Sequence, residues 1–280
     1  MKRILSLVLI FALCLSLAGC IVLPVPDLFD DEPEKPSPVV PETETAPAPE
    51  TEESTEPTEE PTQPPIPQAS VSDAYMDTLH YADFGEERIL CYHIPRFDMD
   101  TPETESLNRA IYMELYELLE EDVYATPEQP FLFGMYYDWV QVDDIVSLLV
   151  YVQADWDLRI FKVYNAYADG SGMVSREELI GRFGYDQDSF HALAEQKLEE
   201  AYLSMFSQYP SGEDEFYQQQ LENTVSYNNV ECVVPFISGS GELCCVATIY
   251  SLAGADAYDH LINLTGSGDV PWPDCHIDHG

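Results

Sequence analysis

Four potential metal donors crowd the end of the chain: Cys275, His276, Asp278 and His279, within VPWPDCHIDHG. Two imidazoles and a thiolate are ligands for zinc or copper. Four neighbouring donors seldom close a tetrahedral site alone, and this tail offers proline and glycine in place of an element to hold them. A frayed terminus is the simpler reading. A second arrangement lies in YADGSGMVSREEL, residues 167–179. With Gly172 at the sixth position of a twelve-residue calcium loop, Asp169, Ser171, Ser175 and Glu178 fall on ligand positions. The first position is then Tyr167, a neutral phenol where the cage needs a carboxylate. The preceding LRIFKVYNAY alternates as a strand, whereas a calcium loop of this kind is entered from a helix. A turn accounts for all of these residues: Asp169 and Gly170 reverse the chain, Gly172 relaxes it, and Ser175 caps the next helix. Glu178 is then expected to reach back and complete a capping box.

The aromatic run FLFGMYYDWV supplies the candidate binding residues Tyr136, Tyr137 and Trp139, whose rings could stack on sugar faces. At strand spacing most of that run should be core. No GxSxG, HExxH or glycine-rich phosphate loop occurs, and no cofactor is implied. Carboxylates are so numerous that a hydrolytic pair flanking such a groove remains an alternative. His93, His191 and His260 read as structural or surface residues.

The elements that must position these residues follow from periodicity. RILCYHIPRF (88–97) alternates as a strand, and Pro95 marks its outer end as an edge or exit. Thr101 and Pro102 then open a helix that should bury Leu107, Ile111, Leu115, Leu118 and Leu119. FLFGMYYDWVQV, IVSLLVYVQAD and LRIFKVYNAY read as three antiparallel strands. A helix over about 188–206 should bury Leu193, Leu198, Ala201, Tyr202 and Met205, and DEFYQQQLENTV adds a short third helix. VECVVPFISGSGELCCVATIYSL reads as a hairpin turning at SGSG. Runs of strands interrupted by helices predict an α+β domain: an antiparallel sheet with two or three packed helices.

The hairpin carries three of the cysteines. A turn centred on Gly239 and Ser240 would set Cys232 opposite Ala247 and Cys245 opposite Val234, a diagonal too long for a disulfide. Cys232 and Cys245 would then be buried thiols on the face of Phe236, Leu243 and Ile249, with Cys244 on the other face. Cys91 and Cys275 complete the five cysteines that follow Cys20. An odd number leaves at least one free thiol unless chains are cross-linked.

The start of the chain is of another kind. MKRILSLVLIFALCLSLAGC has a basic opening, an apolar run too short to span a bilayer comfortably, and small residues before Cys20: the layout of a cleaved export signal. LAGC resembles the bacterial lipobox, which implies cleavage before Cys20 and a lipid on its sulfur, anchoring residues 21 onward to the outer face of the membrane. Residues 21–70 carry 13 acids against Lys35 and many of the 21 prolines. Such a stretch cannot bury enough surface to order itself and reads as an extended stalk, reaching on the order of 140 Å. Residues 71–280 form a single domain in which 39 acids face eight basic residues, 8 − 39 = −31. That balance excludes nucleic acid and suits cationic partners, or solubility alone.

A family resemblance rests on two segments. VYNAYADGSGMVSREELIGRFGYDQDSFHALAEQKLEE matches at Tyr164, Asn165, Gly172, Ser175, Glu178 and Leu179, and RILCYHIPRFDMDTPETESLN at Ile94, Pro95, Leu107 and Asn108. In these the chain resembles the extracytoplasmic domain, of unknown function, shared by RsiV-type lysozyme-sensing anti-sigma factors and some peptidoglycan deacetylases. The resemblance implies an α+β domain without assigned chemistry whose known ligand is lysozyme, a strongly basic enzyme. The reading is a surface-anchored lipoprotein with a non-catalytic acidic binding domain for lysozyme or another cationic wall component. A wall-active, carboxylate-dependent hydrolase is the alternative.

Overall fold

The computed structural model describes residues 65–83, 86–154, 159–209, 214–252, 256–268 and 270. Cys20, the expected signal, the expected stalk as far as residue 64, and Cys275, His276, Asp278 and His279 lie outside the described residues.

Helix α1, Pro102–Leu119, begins as its sequence dictates. The Thr101 hydroxyl accepts the Thr104 N–H at 3.1 Å, and Pro102 takes the first turn, where no donor is missed. Leu107, Ile111, Leu115 and Leu119 are buried at four-residue spacing, while Leu118 stays at the margin. Asn108 clasps the strand that precedes the helix: it accepts the Phe97 N–H and donates to the Phe97 carbonyl, each at 2.8 Å.

That helix covers a five-stranded sheet in the order β1–β2–β3–β4–β5: Val71–Asp83, Glu86–Phe97, Leu132–Val142, Ile145–Ala154 and Arg159–Tyr167. The pairs β1–β2, β3–β4 and β4–β5 are antiparallel. Sequence alone did not mark β1 as a strand, because Asp73 and Asp77 break its apolar alternation and a bulge between Asp73 and Tyr75 shifts its phase. The sheet is antiparallel, as expected, except at one pair. β2 and β3 run parallel, touching at Tyr92 and Met135, and α1 is their crossover. Pro95 sits beyond that contact, opposite the bulge, at the exit of β2. Residues before β1 are already held: Gln141 accepts the Ala69 N–H at 2.9 Å and donates to the Pro67 carbonyl at 2.7 Å.

A second, antiparallel sheet, β6–β7–β8, is built from Val234–Ile237, Leu243–Tyr250 and Ala257–Asn263. The β6–β7 turn falls at SGSG, with Gly241 at φ +78°. Its register is one residue off the expected one, so that Cys245 faces Pro235 and Cys244 faces Phe236. Cys232 is outside the strand, exposed at the end of the preceding helix, and all four described cysteines are free thiols. Cys244 and Cys245 are buried on opposite faces, as alternation requires.

The layers stack as helix, large sheet, small sheet, helices. Leu149, Tyr151 and Phe161 of the large sheet meet Phe236, Cys244 and Val246 of the small one. The other face of β7 buries Leu243, Cys245, Ala247 and Ile249 under four helices: α2 Arg176–Arg182, α3 Gln187–Met205, α4 Glu215–Thr224 and α5 Tyr227–Glu231. In α3 the buried positions are Phe190, Ala194, Leu198 and Tyr202; Met205, expected inside, is 43% exposed. A polar clasp joins the two sheets. Ser147 donates to Asn165 at 2.6 Å, Asn165 donates to the Pro235 carbonyl at 2.9 Å, and the Ile237 N–H donates to Ser147 at 3.0 Å. β6 is an edge strand, and the clasp satisfies peptide groups that burial would otherwise orphan.

Candidate binding surface

The structure divides Tyr136, Tyr137 and Trp139. Side chains alternate along β3, so Tyr136 points toward the small sheet while Tyr137 and Trp139 pack on the α1 side. Tyr136 lies within a row of rings, 6.1 Å from His93 and 6.5 Å from Tyr151. The Tyr137 hydroxyl is pushed up to about 12 by burial, then by the carboxylates of Asp73 and Asp98. The three are half-buried. A cavity of about 160 Å³ takes in Trp139 together with Asp138, Ser147 and Phe236, but neither tyrosine.

The 167–179 segment is a turn. Its backbone closes through Tyr167 N–H to Gly172 C=O at 3.0 Å and Val174 N–H to Asn165 C=O at 2.9 Å. Gly170 has φ +78°, and a Cβ there would meet Met99 and Thr101 at 2.9 Å, because its carbonyl accepts the Thr101 hydroxyl at 2.6 Å. Ser175 caps α2 as expected, accepting the Glu178 N–H at 3.1 Å. The expected return contact of Glu178 is replaced: its carboxylate accepts the Tyr167 hydroxyl and lies 3.6 Å from Arg182. The phenol at the first loop position is therefore bonded to the carboxylate at the last, the two ends that calcium would need. Among the described residues no group of three or more acidic, histidine or cysteine side chains could hold a metal.

The surface that stands out is one the sequence reading missed. Tyr112 and Tyr116, one helical turn apart on α1, stack at 5.3 Å with an interplanar angle of 10°. Tyr75 from β1 stands edge-on to both, at 6.4 Å and 5.6 Å. After Leu119 the helix widens into a π turn, Glu120–Tyr124, closed by Ala125 N–H to Glu120 C=O. On a regular helix Tyr124 would lie about 80° round from Tyr116. The wider turn takes up part of that rotation, and the rings lie 6.3 Å apart. Asp77, two residues from Tyr75 on the same face of β1, ties the group together. It accepts the Tyr124 hydroxyl at 2.8 Å and the Tyr75 hydroxyl at 3.3 Å, and the two hydroxyls are 2.9 Å apart.

These four rings are half-buried, with Glu117, Glu120 and Glu121 exposed around them. Burial and then the bonds to Tyr75 and Asp77 raise the Tyr124 pKa. For Tyr116 desolvation comes first, followed by Tyr75 and Glu120. The Tyr116 and Tyr124 phenols therefore stay neutral, and the cluster presents electron-rich rings beside carboxylates, the setting in which ring faces attract ammonium and guanidinium groups. The i,i+4 tyrosines were readable on the helix. Their partners were not, since β1 itself was not recognised.

A different surface lies along β5, where a cavity of about 250 Å³ is lined by Glu114, Lys162, Tyr164, Thr248 and Asp259 among others. Lys162 lies 2.7 Å from Glu114, which also accepts the Tyr164 hydroxyl at 2.9 Å; these bonds lower the Glu114 pKa against the effect of burial. Burial raises the Asp259 pKa. No family model matches the chain, and no curated protein matches its sequence.

Proposed function

We propose that residues 65–280 form a non-catalytic binding module for a cationic protein, held outside the cytoplasm by a lipid on Cys20. The tyrosine cluster carries this reading. Four half-buried tyrosine rings and an inward-facing carboxylate lie beside exposed glutamates, on a chain with formal net charge −41. Each cation set against such a ring contributes about 0.5–2 kcal/mol, so a few contacts would distinguish a specific partner from any basic protein. The resemblance drawn from the sequence names lysozyme as the partner to test first, with a cationic wall component next.

The test is calorimetry of the chain from Ile21 onward with lysozyme, beside an unrelated protein of similar positive charge. Both run at low salt and at about 0.3 M, where the Debye length is roughly 6 Å. Lysozyme binding that persists in salt while the control is lost, and that weakens at least tenfold in Tyr112→Ala/Tyr116→Ala, is the expected result. Equal, salt-labile binding of both proteins would reject the reading.

A further inference from the structure

Strand β5 is the edge of the large sheet opposite β1. Just past the open end of the β4–β5 pair, beyond Ile145 and Tyr167, the Ala168 N–H donates to the Asp144 carbonyl at 2.8 Å, which fixes the alternation of the ladder. Even-numbered residues of β5 exchange hydrogen bonds with β4. Phe161, Val163, Asn165 and Tyr167 turn their peptide groups to the open side. The chain uses this edge at three of the four positions. Tyr167 N–H and Asn165 C=O bond the 172–174 segment, and Phe161 N–H reaches Asp259 at 3.5 Å. The N–H and C=O of Val163 have no partner among the described residues, and Val163 lines the 250 Å³ cavity. On one side of it Glu114 is already neutralised by Lys162. On the other, Asp259 accepts the Thr248 hydroxyl at 3.2 Å and feels the charge of Lys162, which lines the same cavity but is bonded to Glu114.

We propose that this cleft takes a short extended peptide segment, which pairs with Val163 as an added strand and sets a lysine or arginine side chain against Asp259. A residue paired directly with Val163 projects its side chain to the same face as Val163, toward the small sheet to which Asp259 belongs. The peptide amide therefore supplies the hydrogen bonds and the basic side chain the selectivity, the division of labour of strand addition. The site shares no residue with the tyrosine cluster, so neither depends on the other.

The probe is acetyl-Ala-Lys-Ala-amide titrated into the full chain, read by the Val163 amide resonance and by calorimetry. Two relatives run beside it: the same peptide N-methylated at lysine, and acetyl-Ala-Glu-Ala-amide. Binding of the lysine peptide, at least tenfold weaker for each relative and in Asp259→Asn, with Tyr112→Ala/Tyr116→Ala unchanged, is the expected result. The N-methyl comparison leaves the protein untouched, so a folding defect cannot imitate it. Equal binding of the N-methylated peptide, or no binding of any peptide at several millimolar, overturns the proposal. So does sedimentation showing that a second copy of the chain occupies this edge.

Discussion

Asn165 shows how much one side chain decides. It bridges the two sheets by bonding Ser147 and the Pro235 carbonyl inside the core. Each buried polar group left without a partner costs about 1–3 kcal/mol. Asn165→Ala should therefore lower stability by about 2–4 kcal/mol, seen as a lower urea midpoint with an unchanged slope. A midpoint within 0.5 kcal/mol of the parent would mean that water replaces the clasp. His260 gives a second residue-level expectation. Burial, and then the nearby Arg159, press its pKa from 6.5 to about 4. Below pH 6.5 the unfolded chain takes up a proton that the folded one refuses, so this contribution is intact above 6.5 and is lost as pH falls toward 4. The loss reaches about 3 kcal/mol. A pH series of urea midpoints should thus slope less steeply over that window in His260→Gln than in the parent; identical slopes would remove the histidine from the account.

Helix α1 illustrates the balance between elements. Its start is well formed, but its end carries Glu117, Glu120, Glu121 and Asp122 with no basic residue in the last turn, against the helix dipole. Burial and Glu121 together raise the Asp122 pKa. Glu121→Lys should add about 0.3–1 kcal/mol at low salt, an effect that shrinks as salt is added. A thermal midpoint that falls on this substitution would show the acids to be bonded rather than strained. Elements with strong periodicity or explicit caps were legible in the sequence: α1 from Thr101, Pro102 and its leucines, β3 to β5 from their length, the second hairpin from SGSG. What escaped was set by tertiary partners. β1 alternates only once its inward Asp77 is known to serve tyrosine hydroxyls, and the π turn has no periodic signature. The rings at 136, 137 and 139 are neighbours in sequence, yet a strand sends them to opposite faces. Sequence could point to the helical half of the binding surface and not to the half contributed by β1.

The whole molecule is short of positive charge: 11 lysines and arginines stand against 52 acids. Self-repulsion of that size opposes compactness and is screened by salt. The thermal midpoint should therefore rise by at least about 2 °C, the equivalent of about 1 kcal/mol for a chain of this size, between 10 mM and 0.3 M sodium chloride. A falling midpoint would mean that local ion pairs outweigh the net field. Because the molecule is layered, it also need not open all at once. Cys244 is shielded by the large sheet and Cys245 by the helices, and burial raises the pKa of both thiols, that of Cys244 to about 11. Neighbours in the chain thus record different events: departure of the helices would expose one sulfur, separation of the sheets the other. With Cys232 reacting first as an internal standard, a thiol reagent and a mass spectrometer would read off which layer peels away before the rest.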